Sequence, residues 1–236
     1  MAQTTGQRAS TSLFSPALFT FLRDLRKNND RDWFKANRAR YDEAVQEPAL
    51  AFISEFEPHL HALSPHFVAD PRTVGGSLFR IHRDTRFSKD KSPYKTHTGI
   101  HFRHELAKSA HAPGFYLHLE PGQVFVGAGI WRPDTEALAR IRTVIAENPD
   151  RWIRTTRAKP FTDLYELGGD SLKRAPAGFD PEHPLIDELK RKDFIAMRSF
   201  TDKDACSRGF LEETAGTFAV AGPLVHFLCD AIGVPY

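Results

Sequence analysis

The residues best suited to chemistry lie together between Arg80 and His97, in the run Arg-Ile-His-Arg-Asp-Thr-Arg-Phe-Ser-Lys-Asp-Lys-Ser-Pro-Tyr-Lys-Thr-His. Six cations (Arg80, Arg83, Arg86, Lys89, Lys91, Lys95) stand against two acids (Asp84, Asp90), a net +4 in a chain whose total is +2. The summed field of such a surplus favours an anionic partner. Arginine supplies bidentate forks, lysine mobile point charges, and Tyr94 a further donor. The chemistry is recognition of a phosphate-bearing or other anionic ligand, a nucleotide or a nucleic-acid backbone among them. A second basic patch, Lys173-Arg174 with His183, sits in a Pro- and Gly-rich loop, and the sequence leaves open whether it joins the first.

The same stretch holds the candidates for acid–base work. Flanking arginines would keep Asp84 ionised and oriented, and His82 and His97 close the two ends of the loop. Those flanks also describe a structural salt bridge, the simpler reading. Ser88 and Ser92 lack a G-x-S-x-G elbow, and there is no phosphate-binding loop motif. His97 and His101 would share one face of a strand and His104 the other, while His59 and His61 cannot share a helix face. His118 lies further along, and no H-E-x-x-H, cysteine pair or close carboxylate cluster accompanies these histidines, so neither a metal nor a cofactor is expected. An anion-binding protein is the leading reading. A phosphate-directed hydrolase or transferase, or a scaffold docking an acidic protein, are the alternatives.

Composition bounds the rest. At 236 residues with 41% hydrophobic and 26% charged, one soluble domain spanning 13–236 is expected, behind a disordered terminus of 1–12. Nineteen phenylalanines against two methionines predict a core of rigid aromatics. The near-neutral charge argues against a general nucleic-acid binder. Two cysteines, Cys206 and Cys229, and no apolar leader suggest a reducing, cytoplasmic setting. The apolar stretch 217–234 is interrupted by Gly222, Pro223, His226 and Asp230, which reads as buried helix and not as a membrane span.

The elements that must position the loop follow from caps and periods. Ser15-Pro16 opens a helix, Asn28-Asn29-Asp30 ends it and caps the next, and Pro48 restarts a third that closes at Ser64-Pro65. Trp33, Asn37 and Tyr41 share a helix face. Phe79 and Ile81 alternate with Arg80 and His82, predicting a strand that feeds the loop. On strict alternation Arg80 and Arg83 point to opposite faces, unless a bulge intervenes at His82–Asp84. Phe87, Pro93 and Tyr94 are expected to anchor the loop, with Lys89 and Lys91 free. Further strands are predicted at Gly99–Arg103, Gly114–Glu120, Val124–Trp131 and Phe194–Phe200, and helices after Pro133 and over Ala205–Ile232. The fold class is α+β: an antiparallel sheet of four to five strands, an N-terminal helical block and C-terminal helices.

Several motifs carry a resemblance. Asn28-Asn29-x-Arg31-x-Trp33-Phe34-x-x-Asn37-x-x-x-Tyr41, Arg83-Asp84-x-Arg86-Phe87-Ser88-x-Asp90-Lys91-x-Pro93-Tyr94-Lys95 and Tyr116-x-His118-x-Glu120-Pro121-Gly122 resemble the signatures of domain-of-unknown-function family 2461. Leu172-Lys173-Arg174-x-Pro176, His183-Pro184 and Lys192-Asp193-Phe194 extend the likeness. The resemblance implies a single soluble domain and no established activity.

Overall fold

The computed structural model describes residues 12–106 and 112–236. Apart from Ser12, the expected disordered terminus lies outside them. Ser12 itself is tied down, its single hydroxyl proton within reach of the carbonyls of Phe14 (2.6 Å) and Cys206 (2.7 Å).

Helix α1 (Pro16–Lys27) starts where expected, with Ser15 extended and proline at the first turn. It buries Leu18, Phe19, Phe21, Leu22 and Leu25, a stripe at helical spacing. Asp30 caps α2 (Arg31–Ala36) by accepting from the Trp33 amide at 2.8 Å. The helix expected to run through Tyr41 instead breaks at Asn37, whose side-chain amide bonds the Trp33 carbonyl at 2.9 Å. After α3 (Arg38–Tyr41), a π-turn at Asp42–Gln46 leads without interruption into α4 (Glu47–Leu63). Pro48 therefore continues a helical run where a fresh start was expected. It lacks an N–H, and the wider turn before it makes room for its ring.

Six antiparallel strands follow in the spatial order β1-β2-β3-β4-β6-β5. They are β1 (Phe67–Val68), β2 (Thr98–His104), β3 (Gly114–Leu119), β4 (Val124–Ile130), β5 (Glu166–Gly168) and β6 (Phe194–Phe200). Between β4 and β5 run α5 (Thr135–Glu147), α6 (Pro149–Thr156) and α7 (Lys159–Thr162), and α8 (Ile186–Leu189) precedes β6. The chain ends in α9 (Asp202–Ala205) and α10 (Phe210–Ile232).

The predicted strand at Phe79–His82 does not form. Leu78 pairs with Ile100 and His82 with Tyr94 as two separate bridges. Reaching both partners bends the chain between them, so Leu78 and Ile81, three apart, are buried while Phe79 is only half-buried.

Helices α4 and α10 pack the core against one side of the sheet. Ile100, Phe102, Phe115, Leu117, Val126 and Phe194 are fully buried there. Phe56 of α4 stacks on Phe102 at 4.9 Å, and Phe218 of α10 packs on Phe115 at 4.9 Å. Helix α10 is long and apolar enough to cross a membrane, yet thirteen of its residues are buried, and it packs on β4, α4, α5 and α6 as the central helix of the core.

One buried carboxylate fastens the far end. Asp193, 3% exposed, accepts from the amides of Arg132 (2.7 Å) and Asp170 (2.8 Å). Arg132 has a positive φ of 49°, so this bond helps hold a strained turn after β4. Asp193→Ala leaves both amides unsatisfied and is expected to cost about 2–4 kcal/mol in urea denaturation, with Asp193→Asn intermediate. A variant as stable as wild type would show that the amides find other partners.

Candidate functional site: the open face of the sheet

The face turned away from the helices carries His101, Tyr116, Gly127 and Met197 as one cross-strand row, flanked by the row Gly99, His118, Phe125 and Ser199. Glycines leave this face hollow. A Cβ on Gly99 would stand 2.5 Å from the Tyr116 hydroxyl, and one on Gly114 would stand 2.7 Å from His101 Nε2. The result is a cavity of about 590 Å³ with Phe79, Phe125, Trp131, Ile195 and Met197 as apolar wall and Lys95, His97, Tyr116 and His118 as polar lining. That volume suits a small organic ligand.

The polar lining is ordered by the β2–β3 register. Thr98 faces Leu119 and Gly99 faces His118, so His97 and Glu120 extend the same ladder on the open face. Glu120 is held by Arg26 (Oε1, 2.5 Å) and by the Thr96 hydroxyl (3.4 Å). Its Oε2 lies 3.2 Å from His118 Nε2, and His118 Nδ1 lies 3.1 Å from the Tyr116 hydroxyl. Burial, with Glu120 adding, pushes the Tyr116 phenol well above its usual range, so it donates to Nδ1, and His118 in turn donates from Nε2 to Glu120. The rings of His97 and His118 are 4.6 Å apart. Burial first, then His118 and Lys95, push His97 down to about 4. Sequence spacing shows no close carboxylate cluster beside these histidines; the fold brings one carboxylate, Glu120, to them. Glu120 is brought in by strand pairing, which sequence spacing does not show.

Among the described residues, Lys95 is the lysine or arginine that lines the cavity. Its ammonium lies 5.3 Å from the Phe79 ring centroid, and burial and then Arg80 lower its pKa. It also lines a second hollow of about 520 Å³, with Arg26, Asn29, Arg83, Asp90 and Tyr94. Asn29 fastens the loop by a reciprocal pair, Nδ2 to the Tyr94 carbonyl and Oδ1 from the Tyr94 amide, both 3.0 Å.

Much of the loop's charge is neutralised within the loop. Arg83 pairs with Asp90 and also donates to the Ser92 carbonyl at 3.3 Å and the Ser88 hydroxyl at 3.4 Å. Arg86 forks onto Asp84, with contacts of 2.6–3.2 Å. Asp84 is pushed down to about 2, chiefly by Arg86, which makes it a poor proton acceptor near neutrality. Arg80 is exposed and makes no hydrogen bond or ion pair among the described residues. Arg83 is thus engaged within the loop, while Arg80 is not. Lys89 is exposed as expected, but Lys91 is tethered to the Thr85 carbonyl at 2.9 Å. Tyr94 is an anchor, stacked on Phe34 at 4.1 Å, whereas Phe87, 96% exposed, anchors nothing; Arg86 leans over its ring at the loop tip.

Of the acid–base candidates, His97 alone lines the cavity; His82 is exposed, 5.2 Å from the Tyr94 ring. Lys173 and Arg174 are exposed. The Ser171–Arg191 bridge and the Leu172–Lys190 hydrogen bond hold them near the start of β6, whereas the cationic loop is tied to the β2 side of the sheet. No ion pair or hydrogen bond among the described residues links the two.

Fold and site define an α+β protein whose antiparallel sheet is covered by helices on one face and hollowed into a ligand-sized cavity on the other. The chain belongs to the family of conserved hypothetical proteins DUF2461, whose model matches residues 17–227. No curated protein and no solved structure matches it.

Proposed function

We propose that the open-face cavity binds a small amphipathic anion, its apolar body against Phe125, Trp131, Ile195 and Met197 and its phosphate or carboxylate at Lys95, with Arg80 nearby. The observation that carries this reading is Lys95: a half-buried cation on the cavity wall, with no carboxylate partner among the described residues. A desolvated charge of that kind is costly until an opposite charge meets it. The internal pairing of Arg83 and Arg86 favours a compact ligand over an extended polyanion. Cytoplasmic placement is supported by the two free thiols, Cys206 and Cys229.

The test is titration with anilinonaphthalene sulfonate, an amphipathic anion with a fluorescent apolar body, followed by competition with aryl phosphates and medium-chain carboxylates. Lys95→Ala is expected to weaken binding about tenfold, the value of one charge-assisted contact, while Arg174→Ala leaves it unchanged. Equal affinity in wild type and Lys95→Ala removes this site. An oligonucleotide that binds with a salt slope of several would favour the polyanion, since each phosphate contact adds about 0.7–0.9. The nearby His97, His118 and Glu120 favour a second reading, a hydrolase or transferase acting on the same anion.

A further inference from the structure

We infer that His97, His118 and Glu120 form a binding site for one divalent transition-metal ion at the polar lining of the cavity. One donor atom from each lies within 4.8 Å of the other two. Two imidazoles and a carboxylate on one face, with coordination positions left open, suit zinc, iron(II) or cobalt(II); magnesium and calcium prefer all-oxygen sets. The inference stands independently of the anion reading.

Three details carry it further than proximity. First, His118 Nε2 and Glu120 Oε2 are 3.2 Å apart, long for a hydrogen bond to a carboxylate, which runs about 2.7–2.9 Å. Neighbouring donors on a metal with bonds near 2.0–2.2 Å stand about 3.0–3.5 Å apart, so this pair already has the separation of a coordination edge. Second, the supporting groups are in place. Arg26 and Thr96 occupy Glu120 Oε1 and leave Oε2 toward the histidine. The Tyr116 hydroxyl lies at His118 Nδ1; on metal binding at Nε2 the proton moves to Nδ1 and Tyr116 becomes its acceptor, the arrangement that orients metal-bound histidines. Third, His118 and Glu120 stand on β3 and just beyond its end, while His97 precedes β2. Two donors are therefore set by the sheet, and His97 has only a short movement to make. His97 and His118 line the cavity, so the ion's open positions face the space where a ligand's oxygen would enter.

The experiment uses the full chain, stripped with chelator and titrated with Zn²⁺ by calorimetry and with Co²⁺ by visible absorption. One equivalent is expected, with His97→Ala and Glu120→Gln each weakening Zn²⁺ at least tenfold while circular dichroism shows the fold intact. His82→Ala serves as the control and binds as wild type. His97 lies outside the strands, so its variant keeps the test open if a Glu120 variant misfolds. No uptake of Zn²⁺ or Co²⁺ by the wild type, or one equivalent bound undiminished in His97→Ala, overturns the site, as does displacement of Co²⁺ by millimolar Mg²⁺. Loss of metal with sulfonate binding retained separates this inference from the anion reading.

Discussion

Gly129→Ala is expected to abolish the stable fold or to cost at least about 3 kcal/mol in chemical denaturation, from strain and overpacking together. Gly129 has φ +125°, and a Cβ there would lie 2.0 Å from the Phe194 carbonyl oxygen and 3.0 Å from its carbon. Both obstructing atoms are backbone of β6, so no rotamer change relieves the clash. Relief would separate β4 from β6 in the middle of the sheet, where Gly129 faces Ile195 and Ala128 faces Ala196. Wild-type stability in this variant would mean that the β4–β6 pairing differs from the one described.

Gly127→Leu, two residues earlier on the same strand, is expected to do the opposite: keep the fold and lose the ligand. Its Cβ would meet only the Ala196 carbonyl oxygen at 3.8 Å and Tyr116 Cβ at 3.9 Å, ordinary contacts. The leucine extends into the cavity toward Phe125 and Met197. Stability should stay within about 1 kcal/mol of wild type, because removing a strand glycine offsets part of any crowding. Affinity for anilinonaphthalene sulfonate should fall more than tenfold. Undiminished binding in a folded Gly127→Leu protein would place the anion elsewhere on the molecule.

The N-terminal block was largely legible because its signals are local: Ser15-Pro16 and Asp30 act within one turn of the helices they start. The sequence predicts Phe194–Phe200 at the boundaries it has, since a strand buried on one face carries its period in its own residues. The misses depend on distant partners. Strands β1 and β5, two and three residues long, are too short to show a period. Phe79–His82 alternates locally, but its two bridges run to different segments. The short-range pair Asp84–Arg86 is legible from its spacing, but Arg83 meets Asp90 across seven positions, which local spacing does not show.

The polar lining was hidden for a related reason. His97 and Glu120 are 23 positions apart in the chain, and only the β2–β3 ladder joins them. One local signal was available. Tyr116, His118 and Glu120 recur every second residue, which puts all three on one side of a strand.

The shortness of β1 and β5 has a bearing on how this molecule meets others. A sheet bordered by long strands offers unpaired amides and carbonyls to any extended segment, and so invites strand exchange and fibril growth. Here the borders are Phe67–Val68 and Glu166–Gly168, each with room for no more than a pair or two of backbone bonds. A visiting peptide gains little by lying alongside either one, so these two borders are poor templates for strand addition. Side chains on the loops and the helical surface, by contrast, can change without disturbing the pairing that shapes the cavity.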